Sequence, residues 1–209
     1  MISATPLLTG LAMALLCLAY ATILLPLNRL PLTGKMLVIV SITLLVMLPV
    51  SDYPGWYYVR SIFGDSSITA LFFYTALILQ QNFSWQIFQK NELVLLRRLA
   101  LAAAILLYPF ALGLTRFDSY SLGYSNLWLL VVIFIITLFC WLRKYYFLAV
   151  IITAAVIAFT LQLLESHNLW DYLIDPLFII AVILTWLRPP LSRVHSRVKP
   201  VHVSQLNDL

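Results

Sequence analysis

Long apolar runs separated by short polar turns are the feature of this 209-residue sequence that most restricts its fold. A helix needs about 20 apolar residues to cross the hydrocarbon layer of a membrane. Measured against that length, the sequence predicts about seven spans, the second of which is short and is expected to begin near Leu32. The predicted spans are Pro6–Leu27, Met36–Val50, Ile68–Phe83, Leu99–Leu114, Leu127–Leu142, Tyr145–Leu164 and Leu169–Leu187.

The composition of the chain also requires lipid as a solvent. The chain is 63% hydrophobic and 10% charged, with a mean hydropathy of +0.97. A soluble domain is about 45–50% apolar and about 25% charged, and a small domain exposes too much surface to hide this excess from water. We therefore predict an all-α, polytopic transmembrane helical bundle over residues 1–187, followed by a basic cytoplasmic tail over residues 188–209.

The positions of the positive charges predict how the bundle is oriented. Of the 13 Lys and Arg residues, only Arg60 and Arg116 lie on one side of the predicted membrane. Lys and Arg collect on the cytoplasmic side, so the C-terminus is predicted inside and, with an odd number of spans, the N-terminus outside. No Lys or Arg precedes Arg29, which argues against a cleaved signal peptide. These features are typical of a multi-pass protein of a bacterial inner membrane.

The segment 163–176 holds the densest polar chemistry on the predicted outer side. It contains three carboxylates and the only histidine outside the tail: Glu165, Asp171, Asp175 and His167. A histidine beside a carboxylate suits general acid–base catalysis when their environments separate the two pKa values. The candidate catalytic residues are therefore His167, Asp171 and Glu165. No motif of a known hydrolase or zinc protease accompanies them, and a lone histidine beside helix caps is more often structural.

The same segment carries two signals for the start of a helix. Asn168 followed by Asp171 fits an N-cap with an acid in the first turn, and Asp175-Pro176 fits a second cap. A helix from Pro176 has only 12 residues before the next arginine, about 18 Å, which is too short to cross. The last span is therefore either a helix kinked at Pro176 or a half-helix preceded by an unwound segment. A continuous helix would place His167, Asp171 and Asp175 on one face.

Two further outer turns contribute candidate substrate-binding residues. The turn at 51–67 is favoured as an interfacial re-entry with aromatic anchors, and the alternative is a lid in which Arg60 faces Asp52 or Asp65. Asp65 also fits an N-cap for the third span. The turn at 115–126 is favoured as a solvated loop, and the alternative is a shallow pocket. The candidate substrate-binding residues are Arg60, Arg116, Asp52, Asp118, Asp175, Tyr120 and Tyr124.

The predicted cytoplasmic side carries short basic turns and one longer segment, Gln86–Arg98, which is amphipathic enough to lie in the membrane interface. Every Asp, Glu, Lys, Arg and His lies outside the predicted spans or near an end, and Asp175 is the deepest. An ionisable group deep in lipid normally accompanies ion-coupled transport or voltage sensing. Those functions are therefore disfavoured, although a passive pathway is not excluded.

No cofactor and no metal site is predicted. Cys17 and Cys140 lie inside apolar runs, where a free cysteine acts as a small hydrophobe. His195 and His202 stand seven residues apart with no Cys or acid between them. No basic stripe with interleaved aromatics is present, so nucleic acid is not an expected partner. Membrane lipids are expected partners, as is a membrane or periplasmic protein.

Three functions remain open on the sequence. The first is a non-catalytic accessory or scaffold subunit that presents its acidic, aromatic-rimmed outer face to cell-envelope lipid or glycan machinery. The second is a small membrane-embedded enzyme that acts on an outer-leaflet lipid or glycan with His167 and a carboxylate as its acid–base pair. The third is a passive transporter or channel.

Overall fold

A computed structural model describes residues 6–113, 118–124 and 127–187 of the chain. Over these residues the fold is all-α except for one hairpin, in which β1 (Pro49–Val50) pairs antiparallel with β2 (Tyr53–Pro54). Short 3-10 turns cover Leu27–Arg29 and Tyr120–Tyr124. The α-helices are α1 (Pro6–Leu24), α2 (Leu32–Met47), α3 (Gly55–Phe63), α4 (Ile68–Phe83), α5 (Lys90–Ala111), α6 (Leu127–Leu142), α7 (Tyr146–Thr160), α8 (Leu169–Leu173) and α9 (Pro176–Leu187). The predicted tail, 188–209, lies outside the described residues.

Helix α4 lies at the centre of the bundle, where it contacts α1, α7 and α8. Side chains three and four positions apart share one side of a helix. Five of the apolar side chains that α4 buries follow that spacing: Ala70, Phe73, Tyr74, Leu77 and Ile78. The ring of Phe73 meets that of Phe178 edge-on at 5.4 Å between centroids. The main apolar cluster also draws on α1, α5, α6, α7, α8 and α9, and a smaller one joins α1 to α2.

The periphery of the bundle is apolar rather than polar. Helix α2 contacts α1 and α3, and α6 contacts mainly α7, so both keep a free face. That face exposes large apolar side chains, with Leu37 and Leu45 each 69% exposed and Phe134 67% exposed. Patches of this kind on a protein surface are covered by a partner or by lipid. A membrane environment accounts for them along the whole length of both helices.

The lengths of the helices bear out a protein with several membrane spans. Among the described residues, Leu7–Leu24, Lys90–Ala111 and Leu169–Leu187 are long and apolar enough to cross a membrane. Helices α3 and α4 meet at 119° and give a fourth candidate span if they are counted together. Helices α2, α6 and α7 are apolar but only 15–16 residues long. Each of the seven predicted runs contains a helix, and α2 begins at Leu32 as expected.

Polar turns gather at two opposite ends of the bundle. At the acidic end, residues 48–67, 118–124 and 161–175 meet, and side-chain hydrogen bonds join each of the first two segments to the third. The basic end comprises residues 25–35, 84–98 and 143–145. There Lys35 donates to the carbonyl of Asn82 at 2.6 Å. Among the described residues, every carboxylate except Glu92 lies at the acidic end and every Lys or Arg except Arg60 at the basic end.

One predicted boundary is wrong. Helix α5 begins at Lys90 rather than Leu99, so most of the segment Gln86–Arg98 belongs to the same long helix as the predicted span. The cause is Glu92, which is 2% exposed. Its carboxylate accepts hydrogen bonds from the backbone N–H of Gln89 at 3.3 Å and of Leu148 at 2.7 Å. The first bond closes the start of α5, and the second fixes it against α7.

Candidate functional site

Arg60 connects the first acidic-end turn to the third. Its guanidinium donates to both oxygens of Asp65, at 2.6 and 2.9 Å, and lies 2.7 Å from a Glu165 oxygen. Of the two partners expected for Arg60, Asp65 is therefore the one observed. The hydrogen bond to Asp65 raises the pKa of Arg60 above its ordinary value, against a lowering by burial. Because the Glu165 side chain is 75% exposed, its pair with Arg60 contributes only about 0–1 kcal/mol.

Asn168 fastens the second turn to the third, and its predicted role as an N-cap is confirmed. The side chain is fully buried. Its Oδ1 accepts from the N–H of Trp170 at 2.9 Å, while its Nδ2 donates to the carbonyl of Tyr120 at 2.9 Å. The indole of Trp170 donates to the carbonyl of Ser119 at 3.0 Å. Two side chains at the start of α8 therefore donate hydrogen bonds to carbonyls of the loop at 118–124.

Gly123 allows this close packing because it has no side chain. A Cβ at this position would lie 1.7 Å from Oδ1 of Asn168 and 2.8 Å from the ring of Trp170. No other residue type fits without moving Asn168. In the sequence this glycine reads as an ordinary loop residue, and its role becomes visible only when the two turns are brought together.

Asp171 lies in the first turn of α8 with one oxygen already occupied. Its Oδ2 accepts from the hydroxyl of Tyr120 at 2.8 Å and from that of Ser166. Burial raises the pKa of the Tyr120 phenol above its ordinary value, and the hydrogen bond to Asp171 raises it further. Tyr120 is therefore a protonated donor at neutral pH. Tyr120, a candidate substrate-binding residue, therefore holds Asp171, a candidate catalytic residue, in place.

His167 lies in the same segment but is bonded elsewhere. Its ring is exposed, and Nδ1 is hydrogen-bonded to the side-chain oxygen of Gln162. The bonds of Asp171 and Glu165 run to Tyr120, Ser166 and Arg60 instead. The three candidate catalytic residues are thus neighbours in one turn, and none of these hydrogen bonds or ion pairs joins them to one another.

Asp175 is the most deeply placed candidate, at 8% exposure. Its Oδ2 accepts from the N–H of Ser67 at 2.9 Å and from the Ser67 hydroxyl at 2.8 Å. Its Oδ1 accepts from the N–H of Phe178 at 2.7 Å. Ser67 is the cap of α4 and Phe178 lies in the first turn of α9. One carboxylate therefore serves the starts of two helices, where negative charge is favoured.

The last span has a break, and it combines features of both alternatives that the sequence left open. Helix α8 ends at Leu173, Ile174 is extended, and α9 begins at Pro176. A residue before proline avoids helical geometry, which gives Asp175 its non-helical position. The chain is therefore helical from Leu169, as in the kinked-helix alternative, but Ile174 and Asp175 interrupt the helix, so His167, Asp171 and Asp175 do not share the face of a continuous helix.

Sequence reasoning missed three polar residues around Asp175. Ser67, not Asp65, caps α4, since its hydroxyl accepts from the N–H of Ala70 at 3.2 Å. Tyr74 and Tyr108 lie within electrostatic range of the Asp175 carboxylate. Their hydroxyls are buried and have no hydrogen-bond partner among the described residues. Both tyrosines stand in apolar helices, so the sequence offers no signal that distinguishes them from core aromatics.

The remaining candidates lie at the surface of the acidic end. Asp52 and Asp118 are exposed, and Tyr124 is 52% exposed. Asp118 Oδ1 accepts from the backbone N–H of Tyr120 at 2.9 Å and of Ser121 at 3.3 Å, so it shapes its own turn. Arg116, its expected partner, lies outside the described residues. Asp52, Asp118 and Glu165 form what we call the acidic rim.

Neither of the two best-defined cavities in the described part of the chain is lined by these candidate residues. Both cavities lie toward the basic end, with volumes of about 10 and 320 Å³. Within the described residues, no group of three His, Cys, Asp or Glu side chains is placed to hold a metal ion. Comparisons with protein-family models, with curated proteins and with solved structures give no significant match to this chain. Function must therefore be argued from the geometry.

The contact at Gly123 gives a direct test of how the turns pack. Gly123→Ala should lower the stability of the purified protein by about 1–3 kcal/mol through overpacking against Asn168. Gly34→Ala is the matched control, because its Cβ would meet nothing closer than 3.4 Å and alanine is the better helix former. Thermal unfolding in detergent should show a lower midpoint for the first variant only. Equal midpoints would contradict the observed packing.

Proposed function

We propose that seven spans cross a bacterial inner membrane, with the N-terminus outside and the C-terminus inside. The spans are α1, α2, α4, α5, α6, α7 and the interrupted pair α8–α9. The alternation of turns between the acidic and basic ends supports this arrangement, as does the location of the cations at one end. Helix α2 covers about 24 Å of a layer about 30 Å thick. Extended, exposed apolar residues at both of its ends, Leu30 and Leu48, add to the length that it spans.

Cysteine labelling in cells tests this arrangement. With Cys17 and Cys140 replaced by alanine, Asp52→Cys and Asp118→Cys should react with a membrane-impermeant maleimide in intact cells. Lys144→Cys and Arg29→Cys should react only after permeabilisation, because these exposed positions lie at the basic end. Labelling of Asp52→Cys and Lys144→Cys from the same side would rule the seven-span arrangement out.

We further propose that the protein is a non-catalytic accessory or scaffold subunit for cell-envelope lipid or glycan machinery. The observation that carries this proposal is that Asp171, Asp175 and Arg60 are engaged in hydrogen bonds or ion pairs that hold the turns together. What the acidic end offers outward is the acidic rim, beside exposed Tyr53 and Tyr57. A carboxylate-bearing rim with aromatics suits a basic surface on a membrane or periplasmic partner.

The accessory proposal and its alternatives predict different results in a strain that lacks the protein. In that strain, His167→Ala should correct the cell-envelope defect as well as the parent chain does, because the hydrogen bond of His167 is local. Asp52→Asn combined with Asp118→Asn should express normally but lose the partner that co-purifies with the parent chain, and Lys144→Gln should retain it. Loss of function in His167→Ala at normal expression would favour an enzyme. Solute flux into proteoliposomes by the isolated chain would favour a passive transporter.

A further inference from the structure

A groove of about 320 Å³ opens at the basic end between the start of α5, the end of α6 and the turn into α7. Its lining includes the polar side chains of Arg98, Arg143, Asn91 and Tyr145, together with Val94 and Phe139, which we call the apolar wall. The groove is open at the surface rather than enclosed. It therefore combines positive charge with apolar surface.

The two arginines in this groove have no competing acid. Arg143 lies over the Phe139 ring, 5.9 Å from its centroid, and neither Arg98 nor Arg143 forms an ion pair within the described residues. Glu92, the acid at this end, gives its oxygens to backbone N–H groups. The adjacent Arg97 differs from Arg98, since it donates to the carbonyl of Thr185 at 3.3 Å. Arg98 and Arg143 are thus available to an anion.

The apolar wall indicates what kind of anion fits. Val94 and Phe139 are 43% and 49% exposed, and they belong to helices whose outer surfaces are apolar. A soluble phosphate compound gains nothing from such a wall, whereas a lipid can place its charged headgroup on the arginines and an acyl chain along the helices. Basic pockets between helices on the cytoplasmic side are a recognised way of binding anionic headgroups.

We propose that this groove is a binding site for one anionic phospholipid, with its phosphate between Arg98 and Arg143 and its acyl chain on Val94 and Phe139. The guanidinium fork matches a phosphate through paired hydrogen bonds. The proposal that the lipid comes from the inner leaflet rests on the proposed function, because the basic end must then face the cytoplasm. Binding itself depends only on the groove.

Native mass spectrometry of the purified chain in detergent tests the proposal. Phosphatidylglycerol should bind, and phosphatidylcholine with the same acyl chains should bind much more weakly. Arg98→Gln with Arg143→Gln should weaken phosphatidylglycerol binding roughly 10- to 30-fold, from two surface cations. For the single substitution Arg98→Gln, the matched control is Arg29→Gln, which removes one exposed charge at the same end from outside the groove lining and should leave the affinity unchanged. Unfolding midpoints show whether these variants remain folded.

Three results would overturn the proposal. Equal loss in the groove and control variants would mean that net charge, not this site, attracts the lipid. No loss in the groove variant would place the lipid elsewhere. Glycerol phosphate that competed at the affinity of the lipid would identify a soluble ligand. Because the assay is done in detergent, none of these outcomes depends on the orientation that cysteine labelling measures.

Discussion

The carboxylate of Asp175 satisfies backbone groups that would otherwise have no partner where the last span breaks. A helix start leaves backbone N–H groups without hydrogen-bond acceptors, and neither lipid nor an apolar core can supply an acceptor. Asp175 accepts from Ser67 at the start of α4 and from Phe178 in α9. The central helix and the last helix are therefore fixed at a common point. The turns that lead into these two helices are therefore positioned by the same contact.

The two ends of the bundle use their polar groups differently. At the acidic end, Asn168 and Asp171 are bonded to Tyr120 and hold turns in place, whereas the acidic rim, His167 and several tyrosines are exposed. At the basic end, most of the described cations are exposed, on short turns and on helix α5. The first pattern suits recognition of a protein by a rigid surface, and the second suits attraction to anionic lipid.

Local signals in the sequence predicted local structure well. The positions of the helices and the cap at Asn168 follow from patterns within a few residues. The start of α5 was missed because Glu92 reads as a polar residue of a turn, whereas its second partner lies 56 residues away. Gly123 and Ser67 were missed for the same reason, since their partners, Asn168 and Asp175, come from distant segments. A single sequence does not show which turns will meet.

The most direct measurement of the central claim is a double-mutant cycle between Asp175 and Ser67, followed by unfolding in detergent. Asp175→Ala leaves buried donors unsatisfied and should cost about 2–4 kcal/mol, with Asp175→Asn intermediate. Since the two residues touch, their effects should be non-additive by about 0.5–3 kcal/mol when Ser67→Ala is combined with Asp175→Ala. Additive effects, or an Asp175→Ala variant as stable as the parent chain, would contradict the account.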